Sequence, residues 1–138
     1  MPDKSIKVVC WLIAVSLVLM ILTLFAHLDS YVGVSYLMNI IWGLLLVSGI
    51  LLLYLTLKRK IQGKLRLFLL LSGASAAGMP VFAILHNLVY ALLVHFRGEG
   101  TGDEPFFFIL AIIVCPIGLL TGLIGSFAQS RRSSKLPV

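Results

Sequence analysis

Acidic residues are scarce in this 138-residue chain, which has five Asp and Glu against eleven Lys and Arg. None of the five lies inside the long apolar runs that make up most of the sequence. Carboxylates within the membrane usually carry the proton or sodium ion of a coupled transporter. The scarcity of acids therefore weakens that class of function.

Motifs for enzymatic chemistry are also missing. The sequence has no CxxC, no G-x-S-x-G, no H-E-x-x-H and no glycine-rich phosphate loop. The two cysteines, Cys10 and Cys115, lie in different apolar runs, and we expect small buried hydrophobes rather than a disulfide, whose Cα atoms must come within about 7 Å. The pattern favours a non-enzymatic protein, leaves the question of activity open and identifies no cofactor.

The chain lacks a polar stretch long enough for a soluble domain. Apolar residues make up 60% of it, and the stretches between the apolar runs are too short to bury a core. Four runs reach the roughly 20 residues that cross a hydrocarbon core. We therefore predict a single integral membrane domain, 1–138, of the all-α class. Its predicted parts are helices at about 8–28, 36–57, 65–96 and 105–128, and a disordered cytoplasmic tail at 129–138.

The basic residues fall on one side of these runs. Ten of the eleven Lys and Arg lie on that side, and four of the five acids lie on the other. Cytoplasmic flanks retain Lys and Arg during insertion, so we expect a transmembrane antiparallel four-helix bundle in the plasma membrane with both termini cytoplasmic. The basic flank should attract anionic lipid headgroups, which explains the charge without nucleic acid. Its members include Lys58, Arg59, Lys60, Lys64, Arg66, Arg131 and Arg132.

Small and polar residues indicate the packed face of each helix, because lipid chains are as apolar as leucine. In the fourth run they form one stripe at 100° per residue, which includes a GxxxG pair. This stripe predicts helix packing, with self-association as one possible use. The packing residues are Gly118, Gly122, Gly125 and Cys115. For the second run the same reasoning selects Tyr36, Asn39, Gly43 and Tyr54.

His86 and Asn87 are polar residues inside the third run, where unpaired polar groups are costly. With Tyr90 and Asn39 they form a candidate polar intramembrane site. The favoured interpretation is a structural hydrogen bond between helices, to Asn39, to Thr23 or to a backbone carbonyl. The alternative is a small transport or channel subunit whose path the His-Asn pair lines together with two serines. Those serines are Ser72 and Ser75.

A metal- or haem-binding protein is a further alternative. Histidines and acids on the non-basic side offer the nitrogen and oxygen ligands of a mixed metal site, although their spacing matches no known ligand motif. The acids also suit a helix start, and the histidines suit the membrane interface. The candidate ligands are His86, His95, His27, Asp103 and Glu104.

Three segments in the second half resemble a group of small prokaryotic four-helix membrane proteins to which no function is assigned. They are 78–90 (GMPVFAILHNLVY), 103–108 (DEPFFF) and 113–125 (IVCPIGLLTGLIG). The resemblance implies four spans and no particular activity. Together the observations favour a structural or accessory membrane protein, with a second copy or another membrane protein as partner. The positions that the resemblance implies for testing are His86, Asn87, Glu104, Pro105, Cys115 and Pro116.

Overall fold

The structure, a computed structural model, describes residues 4–25, 32–97 and 105–133, and no strand occurs in these ranges. Helix α1 spans Lys4–Phe25, α2 spans Val32–Lys58 and α3 spans Gly63–Arg97. The last helix, α4, runs without a break through 105–133. It consists of an α-helical start, a π-helical turn and an α-helical remainder, at Pro105–Ile109, Leu110–Val114 and Cys115–Ser133.

Each of the four helices is long and apolar enough to cross a membrane. The helices also pack against one another in chain order, α1 with α2, α2 with α3 and α3 with α4. The chain is therefore a multi-pass membrane protein, and the predicted all-α fold with four packed helices is confirmed. The apolar spans are Lys4–Thr23, Tyr36–Lys58, Gly63–Phe96 and Pro105–Arg131.

The helices extend beyond the predicted bounds at most ends. α1 begins at Lys4 and α2 at Val32, and the predicted tail 129–138 is helical rather than disordered up to Ser133. A count of apolar residues stops at the first polar ones, whereas backbone hydrogen bonds continue a helix through the interface. Residues 134–138, and the predicted end of the first helix at 26–28, lie outside the described residues.

Buried side chains concentrate toward the end of the bundle that holds the 59–62 turn, which we call the basic end. Ile13, Leu45 and Leu119 are completely buried in the core. None of the described side chains in 81–96 of α3 is buried, and none in 105–110 of α4. The opposite end, which we call the far end, is therefore much more open.

Helices α2 and α3 make a close backbone approach at Gly49 and Gly73. A methyl group at Gly49 would lie 2.6 Å from the Ala77 nitrogen and 2.8 Å from the Gly73 oxygen. Such distances leave no room for a side chain, so this contact depends on glycine, as close helix pairs in membranes commonly do.

The predicted packing face of α2 is wrong. Tyr36, Asn39, Gly43 and Tyr54 are all exposed, and nothing in the described chain lies within 4 Å of a methyl group placed at Gly43. Polar residues near a helix end reach the headgroup level, so they report depth in the membrane and not the packed face. Within 36–58, the part of α2 whose burial is described, the buried residues are Ile41, Leu45, Ser48, Gly49, Leu52 and Thr56.

A π-helical turn in α4 comes directly before Cys115 and Pro116. Proline has no N–H, and its ring clashes with the carbonyl four residues earlier. The Cys115 N–H bonds the Leu110 carbonyl, five residues back, which is the wider register of a π-helix. The turn changes the rotational phase of 105–109 relative to the rest of α4. Pro80, by contrast, lies within a continuous α-helix.

Candidate functional site

His86 lies on α3 at the far end and faces α4. Its ring centroid is 5.4 Å from that of Phe108, with the two planes tilted by 52°. The imidazole is half-buried and takes part in a further interaction within the protein. Next to it, Phe82 and Phe107 stack with centroids 6.2 Å apart. His86 therefore belongs to an aromatic contact between α3 and α4.

The other members of the predicted polar site lie on exposed surface. Asn87, Tyr90 and Asn39 are all exposed. The Asn87 amide donates to the Ala83 carbonyl at 3.0 Å, within its own helix. This bond lies within α3, whereas the predicted bond joins two helices. The interhelical bond stays a prediction. Thr23, another predicted partner, donates to the Leu19 carbonyl at 2.7 Å.

The predicted transport path would pass Ser72 and Ser75, where α3 meets α4. A methyl group at Gly118 would lie 2.5 Å from the Ser75 oxygen, and one at Gly122 would lie 2.7 Å from the Ser72 nitrogen. The Ser72 hydroxyl donates to the Phe68 carbonyl at 2.9 Å. Both serines are buried, so within one chain this position is filled by helix contact.

The glycine stripe of α4 lies against α3 of the same chain. Methyl groups at Gly122 and Gly125 would collide with Phe68, and the Cys115 sulfur lies 3.1 Å from a methyl group built at Gly78. These residues are consequently engaged inside the monomer. Self-association through this stripe stays a prediction.

The predicted metal ligands are only partly within the described chain. No group of three or more His, Cys, Asp and Glu side chains among the described residues could hold a metal ion. His95 is exposed, with its ring edge-on to Phe96 at 5.2 Å between centroids. His27, Asp103 and Glu104 lie outside the described residues, so a site that uses them stays a prediction.

A cavity at the basic end was not predicted. It has a volume of about 240 Å³ and opens where the start of α1, the start of α3 and the end of α4 meet. The residues that line it are far apart in the sequence. The only sequence feature that pointed to this region was the combination of basic and apolar residues. We call it the basic-end cavity. Its wall includes Lys7, Trp11, Leu65, Leu69, Phe127 and Arg131.

No protein-family model matches the chain, and no curated protein or solved structure shows significant similarity to it. The resemblance of the second half to small four-helix membrane proteins therefore stays a prediction.

Proposed function

We propose that this chain is a non-enzymatic membrane protein of structural or accessory role, which binds another membrane component through the far part of α3. The observation that carries the proposal is an exposed apolar stripe at Leu88, Leu92 and Phe96, one helical turn apart each. Phe96 is 78% exposed. In water, apolar patches that their own protein leaves uncovered commonly mark binding surfaces, so the position of this stripe relative to the bilayer decides its meaning.

The length of α3 supports this role. The helix has 35 residues and is about 52 Å long at 1.5 Å per residue. With the common tilt of about 20° it spans about 49 Å. A bilayer core is about 30 Å thick, and about 40–45 Å with its headgroups. The span therefore exceeds the bilayer with its headgroups by about 4–9 Å, so about one turn at the end of α3 extends beyond the lipid.

The level of His86 supports the same conclusion. A helix crosses the hydrocarbon core in about 20 residues. Twenty residues of α3 that start at Leu67, near the basic end, finish at His86. Twenty residues of α4 counted back from Ala128 finish at Ile109, so His86 and Ile109 mark the far boundary of the core. The ring contact between His86 and Phe108 is consistent with both counts. Beyond this level, 87–97 add about 16 Å of helix, which includes the exposed stripe.

The orientation belongs to the same proposal. The basic residues favour a cytoplasmic basic end, and with it cytoplasmic termini in a plasma-membrane protein. The order of the helix contacts supports an antiparallel bundle: Gly118 packs on Ser75, whereas the later Gly125 packs on the earlier Phe68. The exposed stripe would then lie at the outer face of the membrane.

Site-specific photocrosslinking tests the accessory role. A benzoylphenylalanine at Leu92 should give a protein adduct of discrete mass in native membranes. The same group at Val47, an exposed residue of α2 close to the middle of its span, serves as the matched control and should react with lipid. An adduct of twice the 15.1 kDa chain mass would identify a second copy, and another discrete mass would identify a different subunit.

Photoprobes at Leu88 and Phe96 should give the same adduct as Leu92, because the three share one face. If all three react only with lipid, as at Val47, the far part of α3 has no protein partner and the proposal is wrong.

A further inference from the structure

The described part of the basic-end cavity wall carries two cations. Lys7 comes from α1 and Arg131 from the last turns of α4, and none of the described residues that line the cavity is acidic. Ser130 adds a hydroxyl group to the same wall. Arg131 also takes part in a further interaction within the protein. The electrostatics favour an anionic guest, since Arg and Lys are the usual partners of phosphate.

Apart from Ser126, the remainder of the described wall is apolar. It includes Ile6 and Leu69, which are buried, and the partly buried Leu65. Trp11 and Phe127 form one side, with ring centroids 5.8 Å apart. A small water-soluble anion would leave this apolar surface uncovered. The guest that matches both parts is amphiphilic.

An apolar groove leads from the cavity along α4. A second hollow of about 410 Å³ shares Trp11, Phe127 and Arg131 with the cavity. A third, of about 570 Å³, shares Ile124 with the second and extends to Ile117. Arg131 and Ile117 are fourteen residues apart, or about 21 Å of helix rise. Half of a hydrocarbon core is about 15 Å, so the groove has the length of a headgroup followed by an acyl chain.

We infer that this surface is a binding site for one anionic phospholipid of the adjacent leaflet. The phosphate lies between Lys7 and Arg131, and one acyl chain follows Trp11, Phe127 and Ile124 along α4. The 240 Å³ cavity is smaller than the roughly 300–1,000 Å³ of pockets that enclose a whole drug-sized ligand. It therefore takes the headgroup end alone, with the chains outside. The inference requires a membrane protein but not the accessory role.

Native mass spectrometry of the full chain, released from mild detergent, tests the headgroup. The probes are phosphatidylglycerol and phosphatidylcholine with identical acyl chains. We expect one retained phosphatidylglycerol per chain and much weaker retention of phosphatidylcholine. In Lys7→Gln/Arg131→Gln, phosphatidylglycerol binding should weaken about thirty-fold, the factor expected from two basic residues at an anionic lipid.

The matched control is Lys58→Gln/Arg66→Gln, which removes one Lys and one Arg from the same end but outside the cavity wall. Its affinity should stay close to that of the unaltered protein, and circular dichroism should show both variants equally helical. An equal loss in the two variants would assign binding to general charge and overturn the site. Displacement of the lipid by excess inorganic phosphate would assign it to a free anion, with the same consequence.

Tryptophan fluorescence tests the acyl chain. The chain has two tryptophans, so Trp42→Phe leaves Trp11 as the only reporter. Phosphatidylglycerol with brominated acyl chains should quench Trp11 at a lower mole fraction than brominated phosphatidylcholine does. Identical quenching curves would indicate bulk lipid contact only and would overturn the inference, whatever the photocrosslinking at Leu92 gives.

Discussion

At the scale of single residues, most of the buried hydroxyl groups donate to backbone carbonyls of their own helices. Ser16 bonds Leu12 at 2.9 Å, and Thr56 bonds Leu52 at 2.7 Å. Ser and Thr in membrane helices commonly satisfy themselves in this way, four residues back. A hydroxyl paired locally does not need a partner on the next helix. The contribution of these residues to packing is therefore their small size.

The first prediction concerns Gly122, where α4 presses on α3. In Gly122→Ala the new methyl group would meet the Ser72 nitrogen at 2.7 Å and the Phe68 oxygen at 2.8 Å. Both are backbone atoms, which cannot rotate away. Overpacking of this kind typically costs about 1–3 kcal/mol. Titration of the purified protein from mild detergent into a denaturing one should show the loss in the free energy of unfolding.

Gly43→Ala is the matched control, since a methyl group at Gly43 has nothing in the described chain within 4 Å. Helix propensity favours alanine over glycine by about 1 kcal/mol, so Gly43→Ala should be neutral or slightly stabilising. Equal stability of the two variants would contradict the close approach at Gly122. If the Gly122→Ala monomer is as stable as the unaltered protein but no longer forms oligomers, the glycine stripe serves self-association.

At the scale of helices, the spans were predictable and the packed faces only in part. Apolar runs of about 20 residues are a strong signal for spans, whereas faces must be read from a few small or polar residues. On α4 the small residues do lie toward α3. On α2 the polar residues misled, because Asn39 and Tyr36 are exposed near the far end while Gly49, within an apolar stretch, makes the contact.

The second prediction concerns the π-helical turn of α4. Pro116→Ala restores the missing N–H donor, so 110–114 should return to α-helical register. Loss of the extra residue in the turn would rotate 105–109 and move Phe108 away from His86. The ring current of Phe108 shifts the resonances of the imidazole protons at this distance. In nuclear magnetic resonance spectra of Pro116→Ala, these resonances should move in the same direction as in Phe108→Leu.

Pro80→Ala is the control for that experiment, because Pro80 lies in a helix that stays α-helical around it. The His86 shifts should change little in this variant. If Pro116→Ala leaves the His86 shifts unaltered while Phe108→Leu moves them, the π-helical turn is not maintained by the proline.

At the scale of the whole molecule, the two ends of the bundle differ in packing. The basic end holds most of the buried core and the basic-end cavity, whereas α3 has no buried side chain among its described residues beyond Pro80. In the sequence, charge and hydropathy were enough to distinguish the two ends of the bundle. They did not locate the cavity, because Lys7, Leu69 and Arg131 come together only through the packing of three helices.

The third prediction concerns which end faces the cytoplasm. In a variant without Cys10 and Cys115, single cysteines at Gln62 and at Gly100 should react differently with a membrane-impermeant maleimide. Lys and Arg dominate the flanks at the basic end, and retained positive charge marks the cytoplasmic side. Gly100→Cys should therefore be labelled in intact cells, and Gln62→Cys only after permeabilisation.

Permeabilised cells provide the control for that experiment. Residue 62 is exposed in the 59–62 turn, so the thiol of Gln62→Cys should then react as fast as a free cysteine in solution. Labelling of Gln62→Cys in intact cells would show that the bundle has the opposite orientation in the membrane. The phospholipid site would then belong to the outer leaflet and the apolar stripe of α3 to the cytoplasm. The geometry of the cavity and of the stripe would stay the same, but each would face the opposite side of the membrane and the molecules present there.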